Sequence, residues 1–148
     1  MDIRIVSVEP SMIQQIVTIE QASFTCPWSL KSFEEAIASD TTTVLTALDK
    51  NDRVCGFTCV TAILEEGEIL NIAVEPSLRR FGIGRKLLGA AVDTAKRNGV
   101  KALYLEVRRS NMPAIGLYES FGFTQIGIRK NYYTDPTEDA ILMMLTLN

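Results

Sequence analysis

The sequence contains no histidine and only three cysteines among its 148 residues. The lack of histidine excludes Ser-His-Asp and Cys-His catalytic sites, the H-E-x-x-H zinc motif and the commonest general base. A catalytic acid or base must therefore be a carboxylate, a tyrosine, a lysine, a cysteine or the N-terminal amine. Cys26, Cys55 and Cys59 lack C-x-x-C spacing, so we expect reduced core thiols and no bound metal. Because Cys55 and Cys59 lie four residues apart in a strand-like run, both should face the same side.

The chain also lacks long apolar runs. No run approaches the roughly 20 residues of a bilayer span, and the start Met1-Asp2-Ile3-Arg4 lacks the basic and apolar regions of a signal peptide. We therefore expect a soluble, cytoplasmic protein without a membrane partner. The formal net charge of −3 argues against a general nucleic-acid binder. The length and the ordinary composition, 47% hydrophobic and 22% charged, predict a single domain over residues 1–148.

Two familiar phosphate-binding motifs are missing as well. The chain contains no Gly-Lys-Ser or Gly-Lys-Thr, which excludes a P-loop, and Leu87 stands where the dinucleotide fingerprint needs a third glycine. What is present is a basic turn, R-x-x-G-x-G from Arg79 to Gly84, between a predicted strand and a predicted helix. Gly82 and Gly84 allow the backbone to approach a ligand closely, and the free N–H groups of the helix start favour an anion. The turn predicts a phosphorylated ligand held mostly by backbone, with a plain structural turn as the alternative.

The pattern of apolar residues predicts an α/β protein with the order β-α-α-β-β-β-α-β-α-β-β, a mixed sheet with helices on both faces. The predicted helices span residues 11–22, 29–38 and 85–98, and a short one begins at Asn111 and ends at Gly122. The predicted strands span residues 2–8, 42–48, 53–64, 68–74, 102–107, 123–129 and 138–147, with the second and third forming a hairpin.

Two residues are candidates for catalysis. Glu106 lies in the apolar strand Leu103-Tyr-Leu-Glu-Val107, where a carboxylate is costly unless it has partners or a chemical role. It alternates with Leu103, Leu105 and Val107, so an exposed strand face is the alternative. Tyr118 lies on the short helix that follows, where core packing is the alternative.

The basic turn and the element order resemble the GNAT acetyltransferases, which bind acetyl-coenzyme A. The resemblance implies the GNAT acyl-CoA N-acyltransferase fold, in which the fourth and fifth strands splay apart and coenzyme A occupies the cleft. Further blocks are similar to the branch of this family that acetylates the N-terminal alanine of a small-subunit ribosomal protein. These blocks are Phe24-Thr-Cys-Pro-Trp-Ser29, Asn71-Ile-Ala-Val74, Leu105-Glu-Val-Arg108, Asn111, Leu117-Tyr-Glu-Ser120, and Arg129-Lys-Asn-Tyr-Tyr133 followed by Glu138-Asp-Ala-Ile141.

The resemblance implies roles for individual residues. Glu106 would be the proton acceptor and Tyr118 the proton donor. Trp28, Tyr132 and Tyr133 would line a groove for the acceptor peptide. The residues expected to bind acetyl-CoA are Ile72, Ala73, Val74, Arg80, Phe81, Gly82, Ile83, Gly84, Arg85 and Asn111. Arg79 departs from the glutamine often found at the first position of the turn, a difference that leaves the backbone donors unchanged.

Two other functions stay open on the sequence alone. One is a GNAT enzyme acting on a small amine such as a polyamine, for which Glu65, Glu66 and Glu68 form an acidic cluster near the cleft. The other is a non-catalytic coenzyme A-binding subunit. For the tyrosine pair Tyr132 and Tyr133, a packed hairpin is the structural alternative.

Overall fold

The computed structural model describes residues 2–148, which form one seven-stranded mixed sheet in the order β1-β2-β3-β4-β5-β7-β6, together with four α-helices. The strands are β1 (Arg4–Ser7), β2 (Thr42–Leu48), β3 (Val54–Ile63), β4 (Glu66–Val74), β5 (Ala102–Arg108), β6 (Thr124–Tyr133) and β7 (Glu138–Thr146). The helices are α1 (Ile13–Ser23), α2 (Leu30–Ala38), α3 (Ile83–Arg97) and α4 (Met112–Ser120).

The predicted order of strands and helices is confirmed, and β2 has the predicted bounds. The clearest difference is at β6, which continues to Tyr133, so the tyrosine pair lies in a strand rather than in a connection. A 3-10 turn, Pro10–Met12, forms the first part of the predicted first helix. In the part of the chain that the structure describes, no helix is both long and apolar enough to cross a membrane.

Local signals fix the ends of three helices. The Ser29 side chain accepts a hydrogen bond from Ser32 N at the start of α2, and Asn111 does the same for Ala114 N at the start of α4. The helix α3 lies between Gly82 and Gly99, which both have φ of 80°. Such a left-handed conformation is open to glycine without steric cost.

The helices cover both faces of the sheet, as predicted. One face packs against α1 and α2 through a cluster that includes Ile16, Phe33 and Phe57. The other face packs against α3 and α4 through a cluster that includes Leu88 and Tyr118. Within β5 the burial alternates, so that Leu103, Leu105 and Val107 face the α3 and α4 side.

The prediction for the cysteines was wrong in two respects. Cys55 packs under α3 with Ile83 and Leu87, whereas Cys59 belongs to the cluster under α1 and α2. The reason is a β-bulge: Leu48 pairs with Val54 and Ala47 with Gly56, which leaves Cys55 as an extra residue that inverts the alternation. Cys26 is exposed rather than buried, although all three cysteines are free thiols, as expected.

The parallel strands β4 and β5 separate along their length. Their pairing runs from Glu66 with Ala102 to Ile69 with Leu105 and then ends, so Leu70–Val74 and Glu106–Arg108 diverge. A second bulge, at Leu70, interrupts the β3–β4 register just where the separation begins. The splayed strands expected from the family resemblance are therefore present.

Candidate active site

The gap between β4 and β5 exposes backbone donors. Residues 72–74 pair with β3 on one side only, and the N–H group of Glu75 donates to the Cys55 carbonyl oxygen at 2.8 Å. Because successive N–H groups of a strand point to opposite sides, those of Ile72 and Val74 point away from β3 and into the gap. Ala73 points its N–H group back to β3, so two of the three predicted backbone positions present a donor to the gap.

The basic turn follows β4 directly and leads into α3. Gly82 is the N-cap residue of α3, and the first intrahelical bond runs from Lys86 N to the Gly82 carbonyl oxygen. The N–H groups of residues 83–85 therefore have no acceptor within the helix, and they point outward together with the positive end of the helix dipole. Arg80 also has a positive φ, 73°, a conformation that costs free energy for a residue with a side chain.

The cationic side chains around this turn are partly bonded to the protein itself. Arg79 donates to the Val74 carbonyl oxygen at 3.4 Å and to Ser23 Oγ at 3.3 Å. Lys86 Nζ donates to the Ile3 carbonyl oxygen, and the Arg85 guanidinium lies 5.6 Å from the centre of the Phe121 ring. Several cationic side chains of this turn are therefore already engaged with neighbouring segments of the protein.

Glu106 is the first β5 residue after the pairing with β4 ends, and its side chain is 20% exposed. It lines an open groove of about 1010 Å³ whose walls include the acidic residues Glu65, Glu66 and Glu68 and the apolar residues Ile63, Leu64, Ile126 and Leu142. Arg129 Nε, on β6, lies 3.9 Å from Glu106 Oε2. Burial, followed by the negative charge of Glu106, raises the pKa of Glu68. The groove is thus acidic, and it contains one arginine among its lining residues.

Tyr118 lies on the opposite face of the sheet, in the cluster that packs against α3 and α4. It is 5% exposed, and its ring centre lies 5.8 Å from that of Phe123. Burial raises the pKa of Tyr118 far above its ordinary value, and the charge of an ionised Tyr133 would raise it further. Burial and the carboxylate of Glu106 raise the pKa of Tyr133 to about 12. Both phenols therefore stay protonated at neutral pH. Tyr133 lies close enough to both Glu106 and Tyr118 for their charges to affect one another.

The three aromatic residues expected to line a peptide groove lie in two segments: the connection between α1 and α2, and the end of β6. Trp28, in the connection between α1 and α2, donates its backbone N–H to Glu20 Oε2 at 2.9 Å and packs its ring 5.2 Å from that of Phe33. Tyr132 and Tyr133 contact each other edge to face at the end of β6. Tyr132 is 48% exposed, so the pair is not simply part of the core.

Three residues near Glu106 were not predicted to have a role in the preferred function: Arg108, Arg129 and Glu68. Arg108 follows Glu106 by two residues, so the strand alternation alone places both on one face of β5. The positions of Arg129 and Glu68 depend on how β6, β7, β4 and β5 are ordered, which the local pattern does not contain. Asn111 is confirmed as the cap of α4, and its predicted contact with the cofactor stays a prediction.

Comparisons with known proteins agree with this architecture. A model of the GNAT acetyltransferase family matches residues 13–123. The chain is 40% identical over 144 residues to the ribosomal protein bS18-alanine N-acetyltransferase of Escherichia coli K12, with 96% of each chain covered. The crystal structure of the Escherichia coli ribosomal-protein-S18-alanine N-acetyltransferase matches with a TM-score of 0.91 at 38% identity, covering 99% of this chain and 95% of that chain.

A more distant protein shares the fold together with a bound acetyl donor. The crystal structure of Arabidopsis thaliana NAA60 in complex with acetyl-CoA has a TM-score of 0.89 at 19% identity, with 99% of each chain covered. At this level of identity the likeness concerns the fold alone. The family match and the bacterial relatives carry the assignment: this chain belongs to the GNAT family of acetyltransferases and resembles RimI, the ribosomal-protein-alanine N-acetyltransferase.

Proposed function

We propose that this protein transfers the acetyl group of acetyl-CoA to the N-terminal α-amine of a protein, with the N-terminal alanine of the small-subunit ribosomal protein bS18 as the expected acceptor. The observation that carries the proposal is the position of Glu106, whose carboxylate lines the groove where β4 and β5 separate and whose Oε2 has no hydrogen-bond partner among residues 2–148. The Escherichia coli relative supports the choice of acceptor through its own substrate. Residues 1–148 act as one catalytic domain, in the cytoplasm where ribosomal proteins are made.

Acetyl-CoA is the donor, and the main chain supplies most of its binding site. The N–H groups of the turn and of the start of α3, residues 80–85, bind the pyrophosphate, and Asn111 contacts the cofactor near the start of α4. The N–H groups of Ile72 and Val74 donate to the other end of the donor. One of them stabilises the negative charge that develops on the thioester oxygen during transfer. Ala73 lies between these two donors, and its own N–H group points to β3.

Glu106 acts as the general base, directly or through a water molecule. An α-amino group has an ordinary pKa of about 7.7 to 8.0 and is partly neutral at pH 7, whereas a lysine at about 10.4 is almost wholly charged. A carboxylate is a weak base, so it suits the α-amine better than a lysine side chain. The amine nitrogen forms the new bond to the acetyl carbon, the carbon–sulfur bond breaks, and Glu106 receives the proton.

Tyr118 donates a hydrogen bond to the sulfur that leaves. Its raised pKa makes outright proton transfer to a thiolate, which has an ordinary pKa of about 8.5, unfavourable. The protonated phenol instead stabilises the negative charge that develops on the sulfur. Its proton moves to the sulfur only late in the reaction. The acceptor peptide lies between Trp28 on one side and Tyr132 and Tyr133 on the other.

A second candidate function is acetylation of a small polyamine. Glu65, Glu66, Glu68 and Glu106 line one groove, and such a groove favours a ligand with several positive charges. The same charges also favour a basic segment of a peptide, so the groove alone does not choose between the two acceptors.

A comparison of four acceptors tests the proposal. Purified protein is given acetyl-CoA with a peptide that begins with alanine, the same peptide with a blocked N-terminus, an N-blocked peptide with an internal lysine, and spermidine. We expect kcat/KM for the free alanine peptide to exceed the others by at least about a hundredfold, because its α-amine is partly neutral at pH 7 whereas a lysine amine at a pKa of about 10.4 is almost wholly charged. A preference for spermidine would replace the proposal by the second function. Transfer to none of the four, with acetyl-CoA still bound, would support a non-catalytic role.

A further inference from the structure

The guanidinium group of Arg108 connects segments that are far apart in the sequence. Nη2 donates to Thr25 Oγ1 at 3.2 Å and to the Thr134 carbonyl oxygen at 2.9 Å. Nη1 donates to the Pro136 carbonyl oxygen at 3.0 Å and to Glu138 Oε1 at 3.2 Å. One side chain therefore joins β5 to the α1–α2 loop (residues 24–29) and to the β6–β7 loop (residues 134–137).

Other contacts hold the guanidinium in place. Its central carbon lies 4.6 Å from the centre of the Tyr133 ring, a distance at which the ring face attracts a cation. Glu138, its ion-pair partner, also accepts hydrogen bonds from Ser110, and these bonds together with Arg108 hold the pKa of Glu138 below its ordinary value. The Arg108 side chain is only 24% exposed, so these contacts are partly shielded from water.

The two loops contain or adjoin the aromatic residues that the proposed function places beside the acceptor. Trp28 lies in the α1–α2 loop, and Tyr133 lies directly before the β6–β7 loop. The loops also meet at Cys26 Sγ and Thr134 Oγ1, which are 3.5 Å apart. Because Arg108 follows Glu106 by two residues on the same face of β5, the atoms that hold the loops belong to the strand that holds the base.

We propose that Arg108 is a positioning residue for the acceptor: it fixes both walls of the peptide groove at a set distance from Glu106. The inference rests on the proposed function for its effect on the acceptor, while its effect on the two loops stands apart from the identity of the substrate. A planar guanidinium can serve four acceptors at fixed angles, whereas a lysine ammonium has three donors and no plane. The geometry therefore calls for arginine at this position.

The neighbouring residue offers a matched control. Arg109 Nη1 lies 3.3 Å from Asp139 Oδ2 in a comparable ion pair, but the Arg109 side chain is 60% exposed and has neither loop among its partners in residues 2–148. Arg108→Gln and Arg109→Gln remove the same charge from adjacent positions. Only the first removes the bonds to both loops.

The experiment combines hydrogen–deuterium exchange with steady-state kinetics on wild type, Arg108→Gln, Arg108→Lys and Arg109→Gln. For Arg108→Gln we expect amide exchange in residues 24–28 and 134–137 to become about tenfold faster, with exchange in β3 unchanged as a check of the fold. We expect KM for the alanine peptide to rise about tenfold and KM for acetyl-CoA to stay within about twofold. Arg108→Lys should recover part of the effect, and Arg109→Gln should match wild type.

A further variant tests one of the bonds. Thr25→Val removes the hydroxyl that accepts from Nη2, and its effect on the peptide KM should be smaller in the Arg108→Gln background than in wild type. Equal effects in both backgrounds would contradict the role of this bond.

The outcomes separate this inference from the proposed function. If the wild-type protein does not acetylate the peptide, the proposed function fails, and the exchange data alone decide on Arg108. Unchanged exchange in both loops of Arg108→Gln would overturn the inference. It would also be overturned by an equal rise in both KM values accompanied by faster exchange in β3, because that result describes general destabilisation.

Discussion

Oε2 of Glu106 lies 3.9 Å from Nε of Arg129, and among residues 2–148 it has no hydrogen-bond partner. At this distance the arginine attracts the carboxylate without occupying its lone pairs, as a hydrogen bond near 2.8 Å would do. Glu68, with its raised pKa, lies close enough for the two acidic groups to repel each other. The carboxylate of Glu106 is therefore held near a cation without a direct hydrogen bond from it, and under the proposed function it receives the proton of the acceptor amine.

The first prediction concerns the glycine at the start of α3. Gly82 and Gly99 both have φ of 80°, and a Cβ at either position meets no atom within 4 Å. Gly82→Ala and Gly99→Ala should each lower the free energy of unfolding by about 1 kcal/mol, because both force a side chain into the left-handed region. Thermal unfolding measures this loss as a decrease of about 2 to 4 °C in Tm.

The two glycine variants should differ in cofactor binding. Gly82→Ala places a methyl group in the open space before the N–H groups of α3 and shifts them, so Kd for coenzyme A should rise at least about tenfold, or ~1.4 kcal/mol. Gly99→Ala, at the other end of the same helix, should leave Kd unchanged. Calorimetric titration of both variants decides the matter, and an equal Kd in the two would show that the turn does not bind the pyrophosphate.

The second prediction concerns the phenol of Tyr118. Tyr118→Phe keeps the ring that packs on Phe123, so the free energy of unfolding should change by less than about 1 kcal/mol. The variant loses the hydrogen bond to the leaving sulfur, so kcat should fall about a hundredfold while KM for acetyl-CoA changes little. Steady-state assays of Tyr118→Phe and of wild type give the values of kcat and of KM for acetyl-CoA that are compared. A kcat near wild type would assign Tyr118 to packing alone.

The third prediction is a pH dependence set by Glu20. This carboxyl is 2% exposed, and burial raises its pKa above the ordinary value of 4.5, although the N–H of Trp28 and the amide of Asn71 oppose the rise. The folded state therefore binds the proton more tightly than the unfolded state. The contribution of Glu20 to the free energy of unfolding is therefore greatest below the ordinary pKa and is lost as pH rises towards the raised folded value.

Glu20→Gln should abolish this decrease, so the variant gains stability relative to wild type as pH rises through that interval. Urea unfolding at a series of pH values gives, for wild type and for Glu20→Gln, the slope of the free energy of unfolding against pH. Glu34→Gln, on the exposed side of α2, serves as the control and should keep the wild-type slope because Glu20 is still present. Parallel curves for wild type and Glu20→Gln would refute the assignment.

The sequence predicts much of this structure where the determinants are local. The helix α3 follows from the spacing of Leu87, Leu88, Ala91, Val92 and Ala95, all of which are buried as expected. The strand alternation places Glu106 opposite Leu103, Leu105 and Val107, and the basic turn lies where R-x-x-G-x-G stands. These features depend on residues within a few positions of each other, so a local pattern is sufficient.

Other features depend on contacts between distant segments. The bulge at Cys55 inverts the alternation of β3 because of its register with β2, so the four-residue spacing of Cys55 and Cys59 was misleading. Arg129 comes close to Glu106 only because β7 lies between β5 and β6 in the sheet. The bonds from Arg108 to Thr25 and Thr134 likewise join segments that no periodicity relates. Sheet order and register are global properties, which limits what the pattern alone can predict.

The most direct test of the account is the activity of Glu106→Gln with acetyl-CoA and the alanine peptide. The substitution keeps the size of the side chain but removes its negative charge and its ability to take a proton, so kcat should fall by at least about a hundredfold. Kd for acetyl-CoA should remain within about twofold of wild type, because the turn that binds it is intact. A variant that binds acetyl-CoA normally and still transfers the acetyl group at the wild-type rate would contradict the claim that Glu106 is the base.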